Sequence, residues 1–356
     1  MIGLRLVRLV PVCLVLLRLA PASAAPVAHL RLDHASETYE VAADLTYVET
    51  VESDVTLLTQ RGLRGGERAA RSFYPEKQSL EVLEAWVDQP DGSRVEVAPS
   101  SIFTRPSGSA QNAPGFSGAM TTTVLFPQLA EGSRTHIKWR HTQKTPPMLG
   151  FNAWNEAYLE GPTISDETTI ILPADIPLHW RARGGFAVAE TTTDGMRRIT
   201  ARIENHQGQE VERYTVATSD FQPLFLATTL PNLEAIGAIY HRQSAGRAAV
   251  TPEIAAAAAR IVTRPDGSVR EGLDAARAIY DWVAGTVRYV AVYLNPDDGW
   301  VPHPAEDVLR AGYGDCKDHV VLMQALLAAR GIRAEGALID WGARYADLPL
   351  WMPGQF

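Results

Sequence analysis

Gly314-Asp315-Cys316-Lys317-Asp318 opens a run that is almost wholly apolar from Val320 to Ala329 and stops at Gly331. The pattern predicts a helix: Asp315 caps the first turn, Asp318 follows three residues on, and Gly331 ends it. An all-apolar circumference predicts burial on every side. Cys316 then takes the first helical position, where unsatisfied N–H groups and the positive end of the macrodipole favour a thiolate and offer donors to an oxyanion. Free cysteines are often inert packing residues, but those lie on apolar faces inside elements. Cys316 lies among Asp315, Lys317 and Asp318 at the start of one, the setting of a nucleophile.

Working outward, the surrounding sequence alternates helical and extended signals. Thr251-Pro252-Glu253 starts one helix, and Leu273, Ala276, Ile279, Tyr280 and Val283 define a second from Gly272 to Ala284. Val287–Leu294 reads as extended, Pro304–Arg310 as a short helix and Arg333–Ile339 as a strand. Upstream, from His29 to Phe221, the texture is β-rich. Its runs are Tyr39–Thr50, Leu80–Val87, Thr121–Phe126, Thr135–His141 and Thr168–Leu172, with Asp91-Gly92 and Asp194-Gly195 as turns. Thr104–Met120 reads as a long loop. The expected architecture is α+β: an N-terminal all-β sandwich of antiparallel sheets over 26–234, then a helical and stranded core over 235–356.

Arg5 and Arg8, the apolar run Leu9–Leu17 and Ala22-Ser23-Ala24-Ala25 form a secretory signal over residues 1–25, too short to span a bilayer. The expected localisation is a bacterial periplasm, with no stable membrane span after cleavage. Cys13 would leave with the signal, so Cys316 becomes the single thiol, and neither a disulfide nor a cysteine-only metal site can form. A resolving cysteine is absent too, which argues against a redox role. No metal or cofactor is expected. A formal charge of −8 over 356 residues, without a basic stripe, argues against a nucleic-acid partner.

Four stretches together resemble the transglutaminase-like superfamily: Val287-Arg288-Tyr289-Val290, Gly299–Leu309, Gly314–Asp318 and Leu326–Ile332. The sequence from Tyr39 to Phe103, Phe126–Trp139 and Asn152–Tyr158 is similar to a β-rich domain of unknown function that precedes this core in exported bacterial proteins. The resemblance implies a papain-like fold, a Cys-His-Asp triad, and acyl transfer or amide hydrolysis through a thioester on Cys316, with a protein or peptide substrate. Asp315, Tyr289, Trp300 and His303 are the candidates for cleft or oxyanion roles; Tyr293 is a further aromatic donor, and Trp282 is expected in the core. In the family the histidine follows on a strand after the cysteine helix, about where this chain ends at Phe356. The chain is therefore expected to be a C-terminally incomplete, inactive fragment. His319 is expected to fill a polar niche near the helix start rather than act as base, His303 to pack in its loop, and Asp340 to be a turn residue. His29, His34, His136, His141, His179, His206 and His241 are expected on solvated surfaces. The alternative is a non-catalytic envelope-binding module built on the same two domains.

Overall fold

The computed structural model describes residues 27–108, 111, 118–158, 160–209, 214–290, 300–339 and 348–355. The signal segment, Tyr293 and Asp340 lie outside them. The first region runs β1 (Leu30–Val41), β2 (Tyr47–Leu57), α1 (Gln60–Gly66), β3 (Arg68–Phe73), β4 (Gln78–Asp88), β5 (Arg94–Glu96), β6 (Ile102–Pro106), β7 (Met120–Leu125) and β8 (Arg134–Gln143). It continues through β9 (Asn152–Glu156), β10 (Thr163–Pro173), β11 (His179–Arg183), β12 (Ala187–Thr193), β13 (Met196–His206) and β14 (Leu224–Thr228).

An eight-stranded sheet ordered β12-β13-β10-β1-β2-β8-β4-β5 forms one layer, and two three-stranded sheets, β11-β14-β9 and β3-β7-β6, form the other. Each small sheet closes its own core. Phe151, Ile170, Ile199 and Phe225 fill one, while Val87, Val124, Ile137 and Trp139 fill the second. The sandwich differs from the antiparallel expectation in one pair: β1 runs parallel to β10, so the large sheet is mixed. Tyr39–Thr50 is two strands rather than one, because Asp44 accepts the Thr46 N–H at 3.0 Å and turns the chain between β1 and β2. The two Asx-Gly turns form as expected. Asp194 and Gly195 both have positive φ, 52° and 75°, the backbone twist that a two-residue hairpin requires.

The inner face beside β3-β7-β6 is not wholly apolar. The Glu49 carboxylate, 3 % exposed, accepts bonds from Arg71 and from His141 Nδ1, the latter at 2.9 Å. Burial raises the pKa of Glu49, but His141 and Arg71 outweigh it and bring the carboxyl down to about 2. Burial, with the adjacent Glu49 charge, holds Glu37 well above the usual carboxylate range. His141 is therefore a core residue, and so is His136, which stacks on Trp86 at 3.7 Å and bonds Asp54 at 3.0 Å. Both depart from the solvated-surface expectation because β8 is flanked on both sides by strands that supply carboxylates and an aromatic ring.

The second region begins with α2 (Leu233–Ser244), capped by Asn232, and α3 (Pro252–Val262), capped by Thr251 with proline at the first turn. It continues with α4 (Gly272–Thr286), β15 (Arg288–Tyr289), α5 (Ala305–Ala311), β16 (Tyr313–Gly314) and α6 (Cys316–Ala328). Ile254, Ala258, Ile279, Val283, Val308, Leu322 and Leu326 interlock as one core, with Trp282 packed at its edge. Among the described residues no helix is long and apolar enough to cross a membrane. Residues 333–339 do not form the expected strand; they are irregular, with the Gln324 amide donating to the Ala334 carbonyl. The segment Leu348–Met352 returns to β14, burying Leu348, Leu350 and Met352 against Leu224 and Leu226. Trp351 Nε1 donates to the Leu230 carbonyl at 2.7 Å.

Candidate active site

Each residue of Gly314-Asp315-Cys316-Lys317-Asp318 has a separate physical task. A Cβ on residue 314 would lie 2.5 Å from that of Asp318, so only glycine lets the Asp318 side chain fold back over the chain. Asp315 accepts the N–H groups of Lys317 and Asp318 at 2.9 and 3.1 Å, while Asp318 accepts that of Asp315 at 3.1 Å, completing a capping box. Lys317 folds its ammonium onto the second Asp315 oxygen, and both side chains are buried, at 5 % and 4 % exposure. Burial raises the Asp315 pKa, partly opposed by the Lys317 charge, and the neighbouring Asp318 charge adds to the rise.

Asp318 is fully buried and has two further donors. It accepts the His303 N–H at 2.8 Å and faces His303 Nδ1 at 3.2 Å. Burial opposes its ionisation, yet the bonds from His303 and Asp315 hold its pKa below the usual value. His303 thus packs in its loop, as the sequence implies, by a specific tie to the cysteine helix. β15 and β16 pair in parallel, Arg288 with Tyr313 and Tyr289 with Gly314, which anchors the strand entering the motif. His319 staples the other side: its ring nitrogens lie 2.7 Å from the Asp315 carbonyl and 3.1 Å from that of Val287.

The outcome is a free, exposed Cys316 on a helix otherwise locked in place. Its Sγ lies 4.0 Å from Lys317 Nζ. Asp315 occupies the N–H groups of residues 317 and 318, not that of Cys316, which stays with the thiol at the helix's positive end. Tyr289 is 60 % exposed, its ring 5.8 Å from that of His319. Trp300 departs from its expected cleft role. It is 3 % exposed and packs against Leu149, Leu230 and Ile236, because the 300–302 segment crosses the junction with the β-rich region. Among the described residues no three His, Cys, Asp or Glu side chains group as a metal set.

Residues 256–337 match the transglutaminase-like superfamily core, and residues 43–209 match a domain of unknown function, DUF3857. The chain carries a transglutaminase-like core behind a DUF3857 domain. A crystal structure of a candidate protease from Parabacteroides distasonis superposes on this transglutaminase-like chain with a TM-score of 0.76 at 17 % identity, over 86 % of this chain and 59 % of that one. The shared fold is therefore α+β across both regions, and the chain spans about three-fifths of that structure's length. An M1 zinc metallopeptidase from Deinococcus radiodurans covers 57 % of the chain and 43 % of its own at 13 % identity, but its TM-score of 0.27 carries no argument. No curated protein sequence matches the chain. The transglutaminase-like match ends before Leu338 and begins after α2, a helix the sequence reading did not single out. Its signal was available: Asn232 as cap, then Ile236 and Tyr240 at helical spacing.

Proposed function

We propose that this chain is the nucleophile-bearing part of an exported cysteine enzyme of the transglutaminase-like type, acting on amide carbonyls of proteins or peptides. The observation that carries the reading is the exposed Cys316 at the first position of a buried helix whose neighbouring polar groups are all tied down. The Cys316 thiolate attacks the carbonyl carbon, a C–S bond forms, and the carbonyl electrons move to an oxyanion facing the Cys316 N–H. Collapse breaks the C–N bond, and the amine leaves with a proton delivered by a general acid. Water or a second amine then attacks the thioester, losing a proton as the C–S bond breaks and the thiol is restored. Asp315, Lys317 and Asp318 position the thiol, while Tyr289 pairs with Gly314 before it and His303 ties to Asp318 after it.

The histidine and aspartate of the family's triad are not assigned to described residues. His319 faces backbone carbonyls with both ring nitrogens, so the competing reading, a binding module, differs from the enzyme in whether a base reaches Cys316 from elsewhere. A p-nitrophenyl ester separates the two readings, because its leaving group needs no general acid. The enzyme reading expects one equivalent of nitrophenolate per chain and an acyl adduct on Cys316, lost in Cys316→Ser. Acylation confined to lysines, or unchanged in Cys316→Ser, supports the binding module instead.

A further inference from the structure

Beside the thiol lies a cavity of about 550 Å³ that joins two parts of the chain. Ile236, Gly237 and Tyr240 on one face of α2 meet Lys317, Val321 and Gln324 on one face of α6. Pro302, Gly336 and Leu338 complete the walls, with the small residues Ala245, Gly246, Ala248 and Ala249 along one side. The α2 half belongs to neither family match, which stop at residue 209 and resume at 256.

Three features define what fits. The floor is apolar, since Ile236 and Val321 are 0 % and 3 % exposed. Among the described lining residues Lys317 is neutralised by Asp315, the Gln324 amide donates to the Ala334 carbonyl at 3.3 Å, and His241 lies on the exposed side of α2. A charged side chain entering against Ile236 and Val321 would lose its water to apolar surface. The cavity also adjoins the chemistry, because Lys317 reaches from its wall to 4.0 Å from Cys316 Sγ. Tyr240 senses the same place: burial raises its phenol pKa, and negative charge at Cys316, Asp315 and Asp318 raises it further.

We propose that this cavity is the acyl-side recognition pocket of the Cys316 site, and that it takes an uncharged, apolar side chain of a peptide acyl donor. This rests on the cysteine-enzyme reading above. The Tyr240 hydroxyl, a donor in the pocket wall, bonds a backbone carbonyl of the peptide. Specificity then comes from the helix that links the two domains.

The test uses the full chain and three tripeptide vinyl sulfones that differ only in the side chain offered to the pocket: leucine, glutamate or lysine. Labelling of Cys316 is followed by peptide-resolved mass spectrometry, with iodoacetamide as a probe that needs no pocket. Gly237→Phe is the blocking variant. A Cβ at Gly237 meets nothing within 4 Å, and replacing a helical glycine favours the helix, so the phenyl ring fills the cavity without unfolding the chain. The leucine probe is expected to react ~10-fold or more faster than the charged pair, the range a pocket's apolar contacts provide. Gly237→Phe should erase that difference while leaving iodoacetamide labelling unchanged. Equal rates for the three probes, or a leucine preference that survives Gly237→Phe, overturn the pocket and leave the nucleophile standing. If iodoacetamide labels Cys316 no faster than in the unfolded chain, the nucleophile reading fails. The acyl-donor pocket falls with it, whereas equal probe rates beside fast iodoacetamide labelling overturn the pocket alone.

Discussion

Asp315→Asn separates two roles that one side chain performs in the cysteine motif. Asparagine caps a helix about as well as aspartate, so its oxygen can still accept the N–H groups of Lys317 and Asp318. What it cannot do is neutralise Lys317, whose ammonium is buried at 5 % exposure in an ion pair with Asp315. Stranding one member of a buried pair costs ~3–5 kcal/mol, and the lower end applies because the raised Asp315 pKa shows that burial already opposes the charge. Asp315→Ala adds the lost cap, about 1 kcal/mol more. Adding Lys317→Met to Asp315→Asn removes the stranded ammonium and should bring stability back to within about 1 kcal/mol of the parent. Because the Asp315 pKa is raised, the parent gains stability as pH falls through it and the asparagine chain does not, so the asparagine penalty should grow toward acid pH. Urea-dependent hydrogen exchange of the Cys316–Ala328 amides reads these free energies at α6. An Asp315→Asn chain as stable as the parent, or a double variant no better than the single, would refute the ion-pair account.

Other expectations follow from the same contacts. Gly314→Ala drives a methyl group against Asp318 and should break the capping box and the His303 tie together, a loss of ~2 kcal/mol or more visible as a lower Tm. In the β-rich region, Glu49→Gln strands Arg71 and should cost about 3 kcal/mol at neutral pH. That carboxylate's contribution is present above its unfolded pKa and disappears as pH falls toward about 2, so denaturation curves of parent and variant should converge there. Glu37 has the opposite sign. Its raised pKa makes its contribution complete below the unfolded value and lost as pH rises through the folded one, so Glu37→Gln should stabilise the chain increasingly as pH climbs above the ordinary carboxylate range. Trp351→Phe keeps most of the packing on β14 but leaves the Leu230 carbonyl without its 2.7 Å donor, for a loss of about 1 kcal/mol by thermal denaturation.

How far the structure was legible from sequence depended on the range of the interaction. The capping box, the start of α3 at Thr251 and the turn at Asp194-Gly195 are decided within four residues, and each forms where the residues indicate. The parallel pairing of β1 with β10 joins segments more than a hundred residues apart, and no local pattern encodes it. His141 was legible in principle: it alternates with Ile137 and Trp139 on the inward face of β8, and its partner Glu49 faces it in register on β2. His136 was not, because the Trp86 ring that covers it comes from another strand. At the candidate site the motif named Cys316 and its cap. The tie from Asp318 to His303, the burial of Trp300 and the wall supplied by α2 all arise from chain crossings that spacing does not reveal.

The central claim is that the fold activates Cys316, and its most direct test compares that residue with itself. Peptide-resolved mass spectrometry would give the iodoacetamide rate at Cys316 at pH 6.5 in the folded chain and in the same chain unfolded in urea, each corrected against glutathione. Activation predicts that the folded chain reacts faster, by about tenfold, since a helix N-terminus favours the negative charge that the attacking sulfur carries. A folded rate equal to or below the unfolded one would contradict the account, leaving Cys316 an ordinary exposed thiol and the chain a binding module.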